Sequence, residues 1–267
     1  MDDIPRISIF FVALLFLSFS AASSEDHEFS YDPDSENGPD HWGDIRPEWY
    51  KCKNGTMQSP INLNIHESQL TSSLGPLQLY YHPSNATIFS TGHDIMVEWA
   101  GDAGYLLING TKYFLQQCHW HSPSEHTMNG IRFDLEIHLV HESKAGQIAV
   151  IGVFYKIGLH NPFLLTVMDE LIRISQDRKP KIPLGMVDPD IVINIDRNVY
   201  YRYMGSLTTP PCHENVVWTI VGQVKQVSLG QIELLRVAVR DAFYTNARPL
   251  QPRNNRLVQL QVPNILL

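Results

Sequence analysis

The chain has 267 residues, 43% hydrophobic and 18% charged, which supplies enough apolar side chains for a sizeable core. A formal charge of −8 and the lack of an extended Lys/Arg run exclude nucleic acid as an expected partner. Length alone leaves one large domain or two small ones open.

The N-terminus reads as an address. Arg6 precedes an almost unbroken apolar run from Ile9 to Phe19, followed by the small residues Ala21, Ala22, Ser23 and Ser24. This is the layout of a signal peptide over residues 1–23, although Asp2 and Asp3 are atypical of one, and the run is too short to span a bilayer. No second long apolar stretch follows, and the end at 264–267 is too short for a lipid-anchor tail, so no membrane anchor is expected. Export fits the three Asn-x-Thr sequons at Asn54, Asn85 and Asn109, each beside turn-forming residues. It also fits the cysteines: Cys52, Cys118 and Cys212 permit one bridge and one spare thiol in an oxidising compartment.

Residues 25–40 are acidic and rich in Asp, Ser, Gly and Pro, and read as an irregular arm. No linker, repeat or low-complexity stretch divides the remainder, so 24–267 is expected to form a single domain. Short apolar or alternating runs recur at 78–81, 95–100, 105–108, 113–120, 133–141, 148–156, 192–195 and 216–224. Gly, Pro, Asn or Ser bounds each, which is a strand-and-turn pattern. Helical periodicity occurs at 163–174 and 229–243. The fold class that follows is mainly β with peripheral helices.

Within Gln116-Gln-Cys-His-Trp-His121 two histidines stand at i and i+2, and on a strand both imidazoles project from one face. His-x-His alone is a weak signal in a chain with 12 histidines. The next alternating run strengthens it. Glu136, His138 and Val140 share one face, while Leu135, Ile137 and Leu139 occupy the other. If the two runs pair, His138 meets His119 and His121 across the ladder. Three neutral imidazoles on adjacent strands make an open tetrahedral zinc site with one position left for water. Gln117 shares the face of His119 and Glu136 that of His138, so both could accept the second ring N–H of a ligand. The competing reading is a set of ordinary polar residues on an exposed sheet face.

The segments Gln117-Cys-His-Trp-His121, Glu125-His-Thr127, Glu136-Ile-His-Leu-Val-His141 and Ser206-Leu-Thr-Thr-Pro-Pro211 resemble the α-class carbonic anhydrases in order and spacing. Asn37-Gly-Pro39, His41-Trp42 and Gln58-Ser-Pro-Ile61 match that family's N-terminal signatures, and the resemblance spans about residues 29–260, nearest the secreted plant branch. It implies one domain around a large, twisted, mostly antiparallel sheet. It also implies reversible hydration of carbon dioxide to bicarbonate by zinc-bound hydroxide, with Zn2+ on His119, His121 and His138. Thr208 matches the threonine that accepts from that hydroxide and donates to the carboxylate of Glu125, and Thr209 lies beside it. Val140, Val150, Leu207, Val216 and Trp218 match the apolar wall that receives carbon dioxide. His93 matches the proton shuttle, and Tyr31 the tyrosine of the solvent network. The pairing expected of the cysteines is Cys52 with Cys212.

Other residues near these motifs have plainer readings. His126 is expected to be a structural hydrogen-bonding histidine, His141 to face away from His138, His213 to be solvated, and Cys118 to be a buried thiol. Two other functions compete: a catalytically weak storage or binding relative, and a zinc hydrolase acting on esters. Secretion to the extracellular space or apoplast is the expected destination, with a plastid reached through the secretory route as the alternative.

Overall fold

The computed structural model describes residues 28–176, 181–239 and 245–263. The expected signal peptide, the last residues of the expected 229–243 helix and the end at 264–267 lie outside them. Ten strands define the main path: β1 Gln69–Thr71, β2 Ser84–Ser90, β3 Ile95–Trp99, β4 Thr111–His121, β5 Leu135–Ser143, β6 Ile148–Ile157, β7 Ile182–Val187, β8 Tyr200–Ser206, β9 Glu214–Val221 and β10 Val258–Gln261. Their order across the sheet is β7-β2-β3-β4-β5-β6-β9-β8-β10-β1, and three short strands join it off this path to make thirteen among the described residues. Most neighbours are antiparallel; β6 runs parallel to β9, and β10 to β1. The sheet is therefore mixed but mainly antiparallel, as the family resemblance implies.

Alternation decides the two faces. Val97, Leu115, Cys118, Ile137, Leu139, Ile151 and Val153 form one apolar cluster. Two α-helices help cover it, Met168–Gln176 and Leu229–Val239, and they pack against each other. The other face of β4 and β5 carries the histidines. A bulge keeps both faces consistent: Val140 opposes Gln117 while His141 opposes Leu115, so Gln116 is the extra residue. Without it Leu115 would leave the core.

The expected strand at 192–195 is instead a short helix, Pro189–Ile193. Asp188 caps it by accepting from the Asp190 N–H, Pro189 supplies a preset φ at its first turn, and Asn194 ends it in the left-handed region. Val192 and Ile193 are buried in either geometry, which is why a short apolar run misleads. The expected helix over 163–174 is two pieces, Pro162–Thr166 and Met168–Gln176, divided at Val167. Strand β7 escapes pattern reading because Pro183 and Gly185 interrupt it; both are tolerated there because β7 is a sheet edge with a bulge at that point.

Cys52 and Cys212 form a disulfide across 160 residues, packed with Tyr31, Trp42 and Trp49. Cys118 is buried and free. Closing a loop of this length stabilises the fold by about 5 kcal/mol in the chain-entropy limit. A thiol reagent should find no reactive cysteine in the native protein and one, Cys118, after unfolding. Replacing Cys52 by Ser should cost about 2–5 kcal/mol in urea unfolding.

His141 is also sealed in the core. Its Nδ1–H donates to the Ala149 carbonyl at 3.2 Å, and Nε2 accepts from the Tyr81 hydroxyl at 2.6 Å, so the neutral ring is fully bonded. Burial pushes its pKa down to about 4. The unfolded chain, with a histidine pKa of about 6.5, takes up this proton first. Stability should thus be complete above about pH 6.5 and fall as pH drops towards 4, by about 3 kcal/mol from this group. Over that window the stability of wild type should fall by about 3 kcal/mol more than that of His141→Gln, as read from urea titrations at each pH.

Candidate metal centre

Strand β4 delivers His119 and His121 to one face because Cys118 and Trp120 between them are drawn into the core. Register does the rest: His138 sits directly opposite His119, and Glu136 opposite His121. One ligand atom from each of His119, His121 and His138 lies within 4.8 Å of the others. The remaining ring nitrogens are committed. His119 Nδ1 meets Gln117 Oε1 at 2.8 Å, His121 Nδ1 meets the Asn246 carbonyl at 2.6 Å, and His138 Nε2 meets Glu136 Oε1 at 2.8 Å. Each acceptor fixes a tautomer, so His119 Nε2, His121 Nε2 and His138 Nδ1 are left as electron-pair donors. His121 Nε2 is buried without a hydrogen-bond partner.

Electrostatics favour neutral rings. Burial lowers the pKa of His119 well below the usual histidine value, and the neighbouring His121 and His138 add to this. Burial also lowers that of His138, against the pull of Glu136. Burial alone would raise the Glu136 carboxyl, but His126 and His138 hold it well below the usual range. Glu136 is saturated: Oε1 takes the His126 and His138 ring N–H groups, and Oε2 takes the backbone N–H of Glu125 and His126. His126, Glu136 and His138 are close enough to suggest a second metal cluster, but these bonds already occupy the facing atoms. His126 completes its bonding by accepting from the Tyr203 hydroxyl at 2.6 Å, which makes it structural, as expected. Gly152 faces His138 on β6, and a Cβ there would lie 2.9 Å from Glu136 Oε1 and 2.6 Å from Ile220 Cδ1. The glycine gives this packing its room.

A donor set of three imidazoles, without thiolate or carboxylate, suits a borderline ion such as zinc. Around it, Glu125 is fully buried. Its Oε1 accepts from the Arg248 N–H at 2.9 Å, while Oε2 lacks a hydrogen-bond partner and lies 3.5 Å from His121 Nε2. Thr208 is buried in the turn after β8, where Leu207 N donates to His213 O and Cys212 N to Thr209 O. No hydrogen bond joins Thr208 to Glu125; the free Oε2 is the acceptor that such a bond would use. Val150, Val216 and Trp218 belong to one apolar cluster, with Val140 and Leu207 packed against it, and Trp218 lies 4.8 Å from the His138 ring. His93 stacks on Phe29 at 4.1 Å, with Tyr31 edge-on at 5.9 Å. His213 is exposed, as are the sequon residues Asn54, Asn85 and Asn109.

Three residues of this surround carry no sequence signal: Asn246 and Arg248, which reach the site from more than 120 positions away, and Tyr203. Their roles arise from main-chain groups and tertiary placement, which spacing within a motif does not encode.

The family model for eukaryotic-type carbonic anhydrase matches residues 37–262. Alpha carbonic anhydrase 7 of Arabidopsis thaliana is 48% identical over 265 residues, 96% of each chain. A crystal structure of dioscorin complexed with ascorbate superposes with a TM-score of 0.86 at 44% identity, covering 89% of this chain and 99% of that one. The α-carbonic anhydrase from Thermovibrio ammonificans, in complex with the inhibitor sulfanilamide, gives 0.75 at 37% identity over 86% and 98%.

Elemental analysis of purified protein should find about one zinc per chain. The double variant His119→Ala, His138→Ala should bind none; wild-type zinc in that variant would refute the site.

Proposed function

This chain belongs to the eukaryotic-type carbonic anhydrase family, and on that premise we propose that it hydrates carbon dioxide reversibly to bicarbonate and a proton, with Zn2+ held by His119, His121 and His138. The observation that carries the reading is the set of three convergent imidazole nitrogens, each preset by a partner on the far side of its ring. Zinc in such a site supplies a nucleophilic oxygen at neutral pH by bringing bound water near pKa 7, a value known from carbonic anhydrase itself.

The chain's own residues supply the rest. Glu125, with one oxygen anchored by the Arg248 main-chain N–H and the other free, would accept from the Thr208 hydroxyl. A hydroxyl whose proton is committed to a carboxylate can only accept from the reacting oxygen, which orients it. Thr209 lies at the same substrate position. Val140, Val150, Leu207, Val216 and Trp218 give carbon dioxide, which offers no strong hydrogen-bonding group, an apolar seat that excludes ordered water. Tyr31, almost fully buried near His93, joins the solvent-ordering groups. Each hydration releases one proton, and His93, whose ring can both accept and donate a proton, carries it to buffer.

A storage or binding role without turnover is the second reading, and the dioscorin complexed with ascorbate shows that a similar chain holds a small molecule. Against it stand the complete ligand set and its intact partners. Carbon dioxide hydration and activated-ester hydrolysis measured on one zinc-loaded preparation separate the readings: hydration should dominate, and zinc-loaded protein inactive towards carbon dioxide would remove this one. We assign the protein to the secretory route towards the extracellular space or apoplast. Residues 1–23 would be removed as a signal peptide, 24–267 would act as one domain, and glycans would sit on Asn54, Asn85 and Asn109. Imaging a tagged full-length protein distinguishes this from delivery to a plastid.

In dilute buffer His93→Ala should lower kcat while leaving kcat/KM for carbon dioxide nearly unchanged, and added imidazole should restore much of the loss. Wild-type kcat in the variant would remove His93 from this role.

A further inference from the structure

Asn246 is almost fully buried, and its polar atoms reach three neighbours at once. A primary amide offers two N–H donors and one acceptor oxygen. Here Nδ2 donates to the carbonyl oxygens of His93 and Trp120, both at 2.9 Å, and Oδ1 accepts from the Ser122 N–H at 2.8 Å. The main-chain carbonyl of the same residue accepts from His121 Nδ1, and its N–H donates to the Ser122 carbonyl at 3.3 Å. One residue thus spans the end of β4, where His121 stands, and the turn at 91–94, where His93 stands.

That turn also carries hydrogen bonds of its own. Thr91 N donates to the Asp94 carbonyl, Thr91 Oγ1 donates to Asp94 Oδ1, and the His93 N–H donates to Thr91 Oγ1 at 3.3 Å. The His93 ring rests against Phe29 of the N-terminal arm. The Asn246 amide is a direct polar tie from the His93 main chain to the strand that carries His121. A relay between two points depends steeply on their separation, and a misplacement of about 1 Å can cost on the order of 100-fold in rate. Because one nitrogen bonds both the Trp120 and the His93 carbonyls, it fixes the gap between strand and turn.

We infer that Asn246 is a positioning residue that sets the placement of His93 relative to the metal centre through its side-chain amide, while its main-chain carbonyl orients His121. This rests on His93 acting as the proton relay. The two functions of Asn246 separate cleanly, because substitution deletes the amide but keeps the carbonyl.

The test uses zinc-loaded Asn246→Ala, His93→Ala and the double variant. Asn246→Ala should retain about one zinc per chain. It should lose about tenfold in kcat in dilute buffer and less than about threefold in kcat/KM, with the kcat loss largely restored by imidazole. In the His93→Ala background, Asn246→Ala should lower the buffer-dependent kcat no further. Asn246→Ser keeps an oxygen that can accept from Ser122 but lacks the two donors; it should give the same split should the alanine variant fold poorly. Hydrogen exchange over 91–94 should quicken in whichever variant is used. Equal losses in kcat and kcat/KM without imidazole rescue would overturn the inference, because they would place the effect at His121 or in the fold. Unchanged kcat in Asn246→Ala and Asn246→Ser, with His93→Ala impaired, would overturn it while leaving the relay standing. Unchanged kcat in His93→Ala would remove the relay and the inference with it.

Discussion

The register between β4 and β5 sets His138 across from His119, and every other feature of the centre depends on that pairing. A slip by one residue would turn Ile137 and Leu139 towards the polar face and drive His138 into the core. The core prevents it. Leu135, Ile137, Leu139, Cys118 and Trp120 are all buried on the far face. Burying a large apolar side chain contributes about 1.5–3 kcal/mol, so a slip that exposed several would cost more than a protein's net stability can absorb. The apolar side of the sheet thus holds the polar side in place.

Burying so many polar groups is tolerable because most of their atoms are paired. Glu136 accepts four N–H groups, two from rings and two from backbone, and so fixes the orientation of His126 and His138 together. Arg248 is equally sealed, and its guanidinium donates to Gln58 Oε1 and to the carbonyls of Ser59 and Cys52 while resting over Trp42. Its own N–H holds Glu125. The disulfide region and the candidate metal centre therefore share one buried residue. Gln58 strengthens the link by donating to the Cys212 carbonyl, a few residues past Thr208.

Much of this was legible in the sequence, for physical reasons that differ between elements. Strand alternation around His119, His121 and His138 is a local property, so it predicts which face each ring occupies. Gln117 and Glu136 share those faces and were legible for the same reason. The short helix Pro189–Ile193 was misread because a brief apolar run buries equally well in either geometry. Strand β8, Tyr200–Ser206, was missed although Tyr203 reaches the site from it. Its polar and aromatic residues pack on both faces, so no clean period of two survives. Asn246 acts through its main-chain carbonyl and Gly152 through a missing side chain, and neither kind of contribution has a motif.

The central proposal is that the three-histidine cluster binds a metal that confers carbon dioxide hydration. Stepwise addition of zinc to metal-free protein, with hydration rate followed at each step, tests it most directly. The rate should rise linearly from a background near zero and break at about one equivalent per chain. Hydration by the metal-free protein, or a fully zinc-loaded protein with none, would contradict the account.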